Sequence, residues 1–320
     1  MINLPNPIPF HEIEAAAGRI KKSVFRTPLV LLESDFPFEV YLKLETQQPI
    51  GSFKLRGAGN AIESTDPDEL LLHGVYTASA GNMAQGIAWY AQKLGIECKV
   101  VVPDHAPRAK LEAIERLGAS YVKVPFDRWW KILINRKYEE YDGLFIHPVS
   151  DLKVMAGNGT IGLEIMEDQP DIDTIIVPFG GGGLSCVIAS AVKEINPEVK
   201  VFASEVETAC PLAASIKAGK PVPVTYIPSF VDGIGSSELL PEMWPLASSL
   251  LDGSLVVSLT QIAESIRYIY KHTQTIAEGA GASSLAAIDQ LENAKKVVCV
   301  VSGGNIDKAK LQIILSGGLP

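Results

Sequence analysis

The segment DTIIVPFGGGGLS, residues 173–185, joins an apolar, β-branched run to four consecutive glycines and then to the start of a helix-period stretch. This order predicts a strand over 173–179, a tight turn over 180–183 and a helix that starts near Leu184. A strand that is apolar throughout is typical of a parallel sheet covered by helices on both faces. The segment therefore predicts an α/β fold.

Similar strand–helix units recur along the 320 residues of the chain. We predict the other strands over residues 40–44, 74–79, 98–102, 120–124, 144–148, 200–205, 254–259 and 296–302. Helix-period stretches lie between most of them, for example at 106–118 and 162–168, and a last helix covers 306–315. Because so many strands are unusual for one sheet, we predict two lobes with parallel, twisted sheets. The large lobe comprises 1–49 and 146–320, and the small lobe comprises 50–145.

The composition is acidic without charged blocks: the net charge is −9, with 47% hydrophobic and 20% charged residues. Nucleic acids and anionic membranes require clustered Lys and Arg, so we expect neither as a partner. No apolar run approaches the length of a membrane span. The cysteines at 98, 186, 210 and 299 are scattered without a CxxC pair, which favours core thiols in a reducing cytoplasm.

The glycine run is the clearest candidate for ligand binding. Four successive residues without side chains let the backbone N–H groups approach a ligand, and the following helix adds the positive end of its dipole. An anion, above all a phosphate, is the expected guest. The run is not a Walker P-loop, because no Lys-Ser/Thr follows, and it lacks the spaced glycines of the GxGxxG dinucleotide fingerprint.

The segment QQPIGSFKLRGAGNAI, residues 47–62, places Lys54 beside Phe53 at the start of a predicted helix. Contact with apolar surface desolvates an ammonium group and lowers its pKa, so such a lysine can act as a base or a nucleophile near neutrality. Activated lysines form Schiff bases with carbonyl compounds. A phosphate cradle together with such a lysine predicts pyridoxal 5'-phosphate as cofactor.

Three further polar residues follow predicted strands and fit that cofactor. The amide of Asn82 can bind the ring hydroxyl, and the neutral hydroxyl of Ser302 can bind the pyridine nitrogen. Ser79 and nearby backbone groups can hold a substrate carboxylate at a helix N-terminus. Taken singly, each of these residues is more often a cap or a turn residue. The predicted substrate contacts are Ser79, Ala80, Gly81, Asn82 and Met83.

These motifs resemble those of the fold-type II pyridoxal-phosphate enzymes, on the branch of threonine/serine dehydratases (ammonia-lyases) and serine racemase. Matching segments, in the family's order, are TPL (27–29), GSFKLRGA (51–58), SAGNMAQG (79–86), HPVSDLKVMAGNGTIGLEI (147–165), PFGGGGL (178–184), VDGIG (231–235), EGAGA (278–282) and SGGN (302–305). The resemblance implies a two-lobed fold similar to the tryptophan synthase β-subunit, with the cofactor in the cleft. It implies that Lys54 carries the cofactor next to Phe53, and that Asn82 and Ser302 meet the cofactor ring. The residues implied for the phosphate are Gly180, Gly181, Gly182, Gly183 and Leu184.

Departures from the family pattern narrow the expectation. Racemases of this branch have a second serine where this chain has Ala80, so we expect dehydration rather than racemisation. Met83 replaces the usual His, which can admit a larger β-substituent or reflect packing drift. The divalent-metal site of some relatives maps to Glu205, Ala209 and Pro211, and proline cannot supply the acidic ligand, so we expect no metal.

Two tryptophans are unusual for the small lobe. We interpret Trp129 and Trp130, beside Phe126, as packing residues, with the substrate entrance as the alternative.

The function expected from the resemblance is β-elimination of a 3-hydroxy L-amino acid such as threonine or serine, giving a 2-oxo acid and ammonia in a homodimeric enzyme. A bulkier substrate such as phenylserine, or serine/threonine racemase activity, is the alternative. Two rivals come from other classes. One is a non-catalytic protein that only binds the cofactor. The other is an NAD-dependent oxidoreductase that uses the glycine run.

Overall fold

The computed structural model describes residues 4–320, which form two sheets surrounded by helices. The strands are β1 (Leu29–Leu32), β2 (Glu39–Leu44), β3 (Val75–Ala78), β4 (Cys98–Pro103), β5 (Ser120–Val124), β6 (Leu144–Phe145), β7 (Thr174–Pro178), β8 (Lys200–Val206), β9 (Gly253–Val257) and β10 (Lys296–Val301). The helices are α1 (Phe10–Ile20), α2 (Lys54–Glu63), α3 (Pro67–His73), α4 (Asn82–Leu94), α5 (Arg108–Arg116), α6 (Phe126–Asn135), α7 (Leu152–Asp168), α8 (Gly183–Ile195), α9 (Pro211–Ala218), α10 (Trp244–Leu250), α11 (Leu259–Thr273), α12 (Gly279–Ala286) and α13 (Lys308–Leu315). None of these helices of residues 4–320 has the length and apolar character needed to cross a lipid bilayer.

The larger sheet has six strands in the order β1-β2-β10-β7-β8-β9, and all its neighbours are parallel except β1 and β2. The α/β fold and the nine predicted strands are confirmed, with ends shifted by a few residues. The sequence prediction missed β1, whose four residues pair antiparallel with β2 from Leu29 opposite Lys43. A run this short has no periodicity of its own, and it becomes a strand because β2 offers a free edge.

The smaller sheet has four parallel strands in the order β5-β4-β3-β6. Its strands all lie between residues 75 and 145, and those of the larger sheet lie outside that range. The exact lobe boundaries stay a prediction. The strand predicted over 144–148 ends at Phe145, because residues 147–150 instead form a turn around the His147 ring.

Parallel topology places the carboxyl ends of β3, β7 and β10 around one cleft. Helix α8 begins directly after the glycine run, as predicted, and helix α4 begins at Asn82 after β3. The end of β10 is joined to the lysine segment by hydrogen bonds, since Phe53 N donates to Ser302 O at 3.0 Å. Three sequence-distant segments therefore meet at the same place.

A buried ion cluster fixes the helix that carries Lys54. The guanidinium of Arg56 donates to Glu45 on one side, with two bonds of 2.8 Å, and to Glu164 of α7 at 2.6 Å on the other. Lys43 of β2 also donates to Glu164, at 2.6 Å. The side chains of Arg56 and Glu45 are completely buried. The cluster thus ties α2 to β2 and to α7.

We expect Arg56→Met to lower the free energy of unfolding by about 3–5 kcal/mol, because it leaves the buried carboxylate of Glu45 without its hydrogen-bonded cation and leaves Glu164 with Lys43 alone. Urea unfolding of both proteins at neutral pH measures the difference. The control is Arg108→Met, which removes an exposed pair with Glu112 and is expected to cost about 0.5 kcal/mol or less. Equal losses in the two variants would show that the cluster does not hold α2.

Candidate active site

A cavity of about 410 Å³ lies between the two sheets at the carboxyl ends of their strands. It brings together every residue that the sequence predicted for cofactor or substrate. These residues are Phe53, Lys54, Ser79, Ala80, Gly81, Asn82, Met83, Gly180, Gly181, Gly182, Gly183, Leu184 and Ser302. The structure thus places the predicted residues in one site, while their individual roles stay predictions.

Lys54 is the first residue of α2, and its ammonium group is buried at the base of the cavity. Nζ donates to the carbonyl oxygen of Pro148 at 2.6 Å and lies 5.1 Å from the centre of the Phe53 ring. Burial without a compensating carboxylate lowers the pKa of Lys54 to about 8. About one tenth of the amine is therefore neutral at pH 7, far more than for an ordinary lysine.

The glycine run forms an anion cradle. Among residues 4–320, no acceptor receives a hydrogen bond from the backbone N–H groups of residues 180–184, which face the cavity at the start of α8. A Cβ on Gly181 would lie 2.6 Å from the Val149 side chain, and one on Gly183 would lie 2.5 Å from the Val149 carbonyl oxygen. The run therefore offers free N–H donors at a helix N-terminus, at backbone positions where a Cβ would clash with Val149. Such an arrangement fits a phosphate group.

The amide of Asn82 is oriented by two partners that the sequence analysis did not identify. Its Nδ2 donates to Glu278 Oε1 at 2.9 Å, and its Oδ1 accepts from Asn305 Nδ2 at 2.8 Å. An amide nitrogen has two hydrogens, so one remains for a ligand. Both partners lie in motifs that the sequence analysis quoted, EGAGA and SGGN, but nothing in the local pattern indicates that they meet Asn82.

Glu278 is a buried carboxyl group on the cavity wall, beside α4. Burial, together with the charge of Asp232, raises its pKa to about 7, while the hydrogen bond from Asn82 opposes the shift. A carboxyl group with such a pKa is partly protonated near neutrality, and perturbed groups of this kind are common in functional sites.

The two predicted serines, Ser79 and Ser302, make different hydrogen bonds in the structure. Ser79 Oγ accepts from Gly81 N at 3.2 Å, so its hydroxyl shapes the loop before α4. Its O–H hydrogen is not used in this bond, so the predicted contact of Ser79 with a substrate carboxylate stays a prediction. Ser302 is 3% exposed and borders the cavity, and its carbonyl group already accepts from Phe53 N.

The aromatic residues of α6 divide between cavity and core. Phe126, 48% exposed, and Trp129 both border the cavity, whereas Trp130 packs against the apolar residues of both lobes. The Trp129 ring is held by a hydrogen bond from Nε1 to Val101 O at 3.1 Å. The packing interpretation is incomplete for Trp129, because this residue also borders the cavity, and its place at a substrate entrance stays a prediction. Met83 is buried in the small-lobe core and borders the same cavity.

Glu205, at the position implied for a metal ligand in some relatives, has other partners here. Its carboxylate accepts from Leu212 N at 2.9 Å, Ala213 N at 2.7 Å and Ser254 Oγ at 2.6 Å. Two donors at the start of α9 and one from β9 satisfy the carboxylate within the chain. Within the part of the chain that the structure describes, no group of three or more His, Cys, Asp or Glu side chains could hold a metal ion. The absence of a metal requirement stays a prediction.

Residues 20–303 match the profile of the family described as pyridoxal-phosphate dependent enzymes. The L-threonine ammonia-lyase of Thermotoga maritima is 39% identical over 319 residues, which cover 98% of this chain and 79% of that protein. The catabolic L-threonine dehydratase TdcB of Staphylococcus aureus is 35% identical, over 96% of this chain and 92% of that protein. The structure of maize serine racemase superposes with a TM-score of 0.87 at 33% identity, over 96% of each chain. The family match favours pyridoxal phosphate over NAD as the ligand of the glycine run.

We expect cofactor-free protein to bond covalently to pyridoxal phosphate through Lys54 with a rate that rises with pH and has its midpoint near 8. Only the neutral amine attacks an aldehyde, and an ordinary lysine has a pKa of about 10.4. Borohydride trapping followed by mass spectrometry gives the rate at each pH, and Lys54→Ala is the control. A midpoint near that of an ordinary lysine would show that the amine is hydrated.

Glu278→Gln should make the cofactor-free protein more stable than the wild type at pH 8. This gain in the free energy of unfolding should become smaller as the pH is lowered. The raised pKa of Glu278 means that the folded state binds this proton more tightly, so its contribution to stability is lost as pH rises through about 7. The gain at pH 8 is about 3 kcal/mol at most. Urea midpoints between pH 5 and about pH 8 measure it, with Glu115→Gln on the exposed side of α5 as control. A difference that does not change with pH would contradict the assignment.

Proposed function

The chain belongs to the pyridoxal-phosphate dependent enzyme family, and from that premise we propose that it is a dehydratase of 3-hydroxy L-amino acids. The proposed substrate is L-threonine or L-serine, and the products are a 2-oxo acid and ammonia. The observation that carries the proposal is one cavity that holds a buried lysine of lowered pKa, a glycine anion cradle and the oriented amide of Asn82. The names of two similar curated relatives support the same reaction.

The residues present fit the cofactor of the family. Lys54 would bond its aldehyde, residues 180–184 its phosphate, Asn82 its ring hydroxyl and Ser302 its pyridine nitrogen. When bound, pyridoxal phosphate withdraws electrons from the bonds at the substrate Cα. Ser302 is a neutral hydroxyl, so it provides a hydrogen bond and no ion pair, which suits elimination of a β-substituent more than reactions that store charge on the ring.

The chain's own residues account for binding and proton transfer. The free N–H groups at the start of α4 bind the substrate carboxylate. The neutral ε-amine of Lys54 removes the Cα proton, and the carbonyl group of Pro148 then accepts a hydrogen bond from the ammonium that forms. Loss of this proton and of the β-hydroxyl releases water. Hydrolysis of the remaining unsaturated amine gives the 2-oxo acid and ammonia.

Ala80 favours elimination over racemisation. Racemisation requires a proton donor on the face of Cα opposite Lys54, and the methyl group of Ala80 cannot supply one. Racemase activity is accordingly a minor alternative, even though the fold is similar to that of maize serine racemase.

A larger 3-hydroxy amino acid, such as phenylserine, is the second candidate substrate. The apolar side chains that border the cavity include Met83, Phe126 and Trp129. The rings of Phe126 and Trp129 lie 5.7 Å apart between centroids. A methyl β-substituent needs no such surface, whereas an aromatic substituent buries its faces on it. The homodimer and the cytoplasmic location are proposed on the sequence alone.

Assays of 2-oxo acid release from L-threonine, L-serine and L-threo-phenylserine test both candidates. We expect turnover with threonine or serine, unchanged by EDTA, because Glu205 is satisfied within the chain. If the aromatic surface binds substrate, Phe126→Ala lowers kcat/KM for phenylserine about 10-fold while threonine is little affected. Phe25→Ala, an exposed aromatic outside the cavity, is the matched control.

Lys54→Ala separates the proposal from its rivals, because it removes the base without changing the fold around it. Turnover should disappear in this variant. No turnover of any amino acid by the wild-type protein that has bound pyridoxal phosphate would favour the non-catalytic alternative. Equal effects of Phe126→Ala on all substrates would exclude the aromatic entrance as a specificity element.

A further inference from the structure

His147 is a buried histidine that the proposed reaction does not use. It follows β6 and is 1% exposed. Its Nδ1 accepts hydrogen bonds from the backbone N–H groups of Val149, at 3.1 Å, and Ser150, at 2.9 Å. Backbone N–H groups can only donate, so His147 Nδ1 must be the acceptor in both hydrogen bonds. Nδ1 is therefore unprotonated, and the imidazole is neutral with its proton on Nε2.

The turn closed by this ring, residues 147–150, contacts both Lys54 and the glycine cradle. The carbonyl group of Pro148 accepts from Lys54 Nζ at 2.6 Å. The side chain of Val149 packs where a Cβ on Gly181 would lie, and its carbonyl oxygen faces Gly183 in the same way. A displacement of this turn would therefore move the lysine's partner and the wall of the anion cradle together.

We propose that His147 is a positioning residue: its neutral imidazole holds the 147–150 turn, which sets the place of the Lys54 amine relative to the glycine cradle. The proposal rests on the proposed role of Lys54 as the lysine that bonds the cofactor. His147 itself touches neither substrate nor cofactor in this scheme.

The surroundings of the ring oppose its protonation. Burial, with the positive charges of Arg136 and Lys54, moves the pKa of His147 well below its ordinary value. Ser150 Oγ lies 3.2 Å from Nδ1 and donates to Glu242, which also pairs with Arg136. The Phe145 ring packs against the imidazole with centroids 6.1 Å apart. The carboxylate of Glu242 is thus engaged by Arg136 and Ser150.

The position requires a neutral acceptor. A carboxylate could accept the same two N–H groups, but its charge close to Lys54 would raise the lysine pKa and keep the amine protonated. An alkyl side chain would leave two buried N–H groups without partners. Imidazole, or the side-chain carbonyl group of asparagine, satisfies both conditions.

The test compares His147→Leu, which has no acceptor, with His147→Asn, whose Oδ1 can occupy the place of Nδ1. The dissociation constant of pyridoxal phosphate is measured by tryptophan fluorescence, and the thermal midpoint is measured with and without cofactor. We expect His147→Leu to weaken cofactor binding about 10-fold or more, and His147→Asn to restore it to within about 3-fold. His11→Leu, on the exposed face of α1, is the control and should bind as the wild type does.

A purely structural role gives a different pattern. His147→Leu would then lower the thermal midpoint equally with and without cofactor and leave the dissociation constant unchanged, and that result would overturn the proposal. Failure of the proposed function is seen separately, as a wild-type protein that binds pyridoxal phosphate without turnover.

Nitrogen NMR of the wild-type holoprotein labelled with ¹⁵N-histidine provides a measurement that needs no stable variant. His147 should show an unprotonated Nδ1 and an Nε2–H between about pH 6 and pH 8, where an ordinary histidine titrates. A protonated Nδ1 in that range would overturn the proposal even if His147→Leu does not fold.

Discussion

The site depends on a buried lysine that has no carboxylate partner. Arg56, two residues further along the same helical turn, is completely buried and is held by Glu45 and Glu164. The contrast matters because a carboxylate beside Lys54 would restore its charge and remove its use as a base. Its only polar partner within the described chain is the carbonyl group of Pro148, which holds an ammonium without fixing its protonation. Arg56 pairs with the carboxylates of Glu45 and Glu164, and the same ion pairs hold helix α2 in place.

The two sheets supply what a buried amine alone cannot. Because the carboxyl ends of β3, β7 and β10 meet at one cleft, three helix or loop starts face the same cavity. We propose that the backbone N–H groups at the starts of α4 and α8 are the anion donors of the site. They carry no full charge, so they do not lower the pKa of Lys54 as a cationic side chain beside it would.

Features of the fold and of the site could be predicted from the sequence where they depend on residues close together in the chain. Those that depend on contacts between distant residues could not. Lys54, the glycine run and Ser302 were predicted because each lies in a local motif whose residue types state its chemistry. The strand β1 was missed because its structure comes from pairing with β2 and from no pattern of its own. Glu278 and Asn305 act through contacts with Asn82 across 196 and 223 positions, which no local pattern records. Ser79 was placed correctly, but its hydroxyl turned to Gly81 because a backbone N–H two residues away is always within reach.

Burial shifts the pKa values of three groups at or beside the cavity toward the neutral form, and this has a chemical reason. Burial brings Lys54 to a pKa of about 8 and Glu278 to about 7, and it holds His147 uncharged. A proton taken from the substrate Cα must be accepted and later released at the same pH, which is easiest for a base whose pKa is near that pH. A carboxylate or a further cation beside Lys54 would move the lysine pKa out of that range, in opposite directions. Burial favours the neutral forms of Glu278 and His147, which limits such effects on the base.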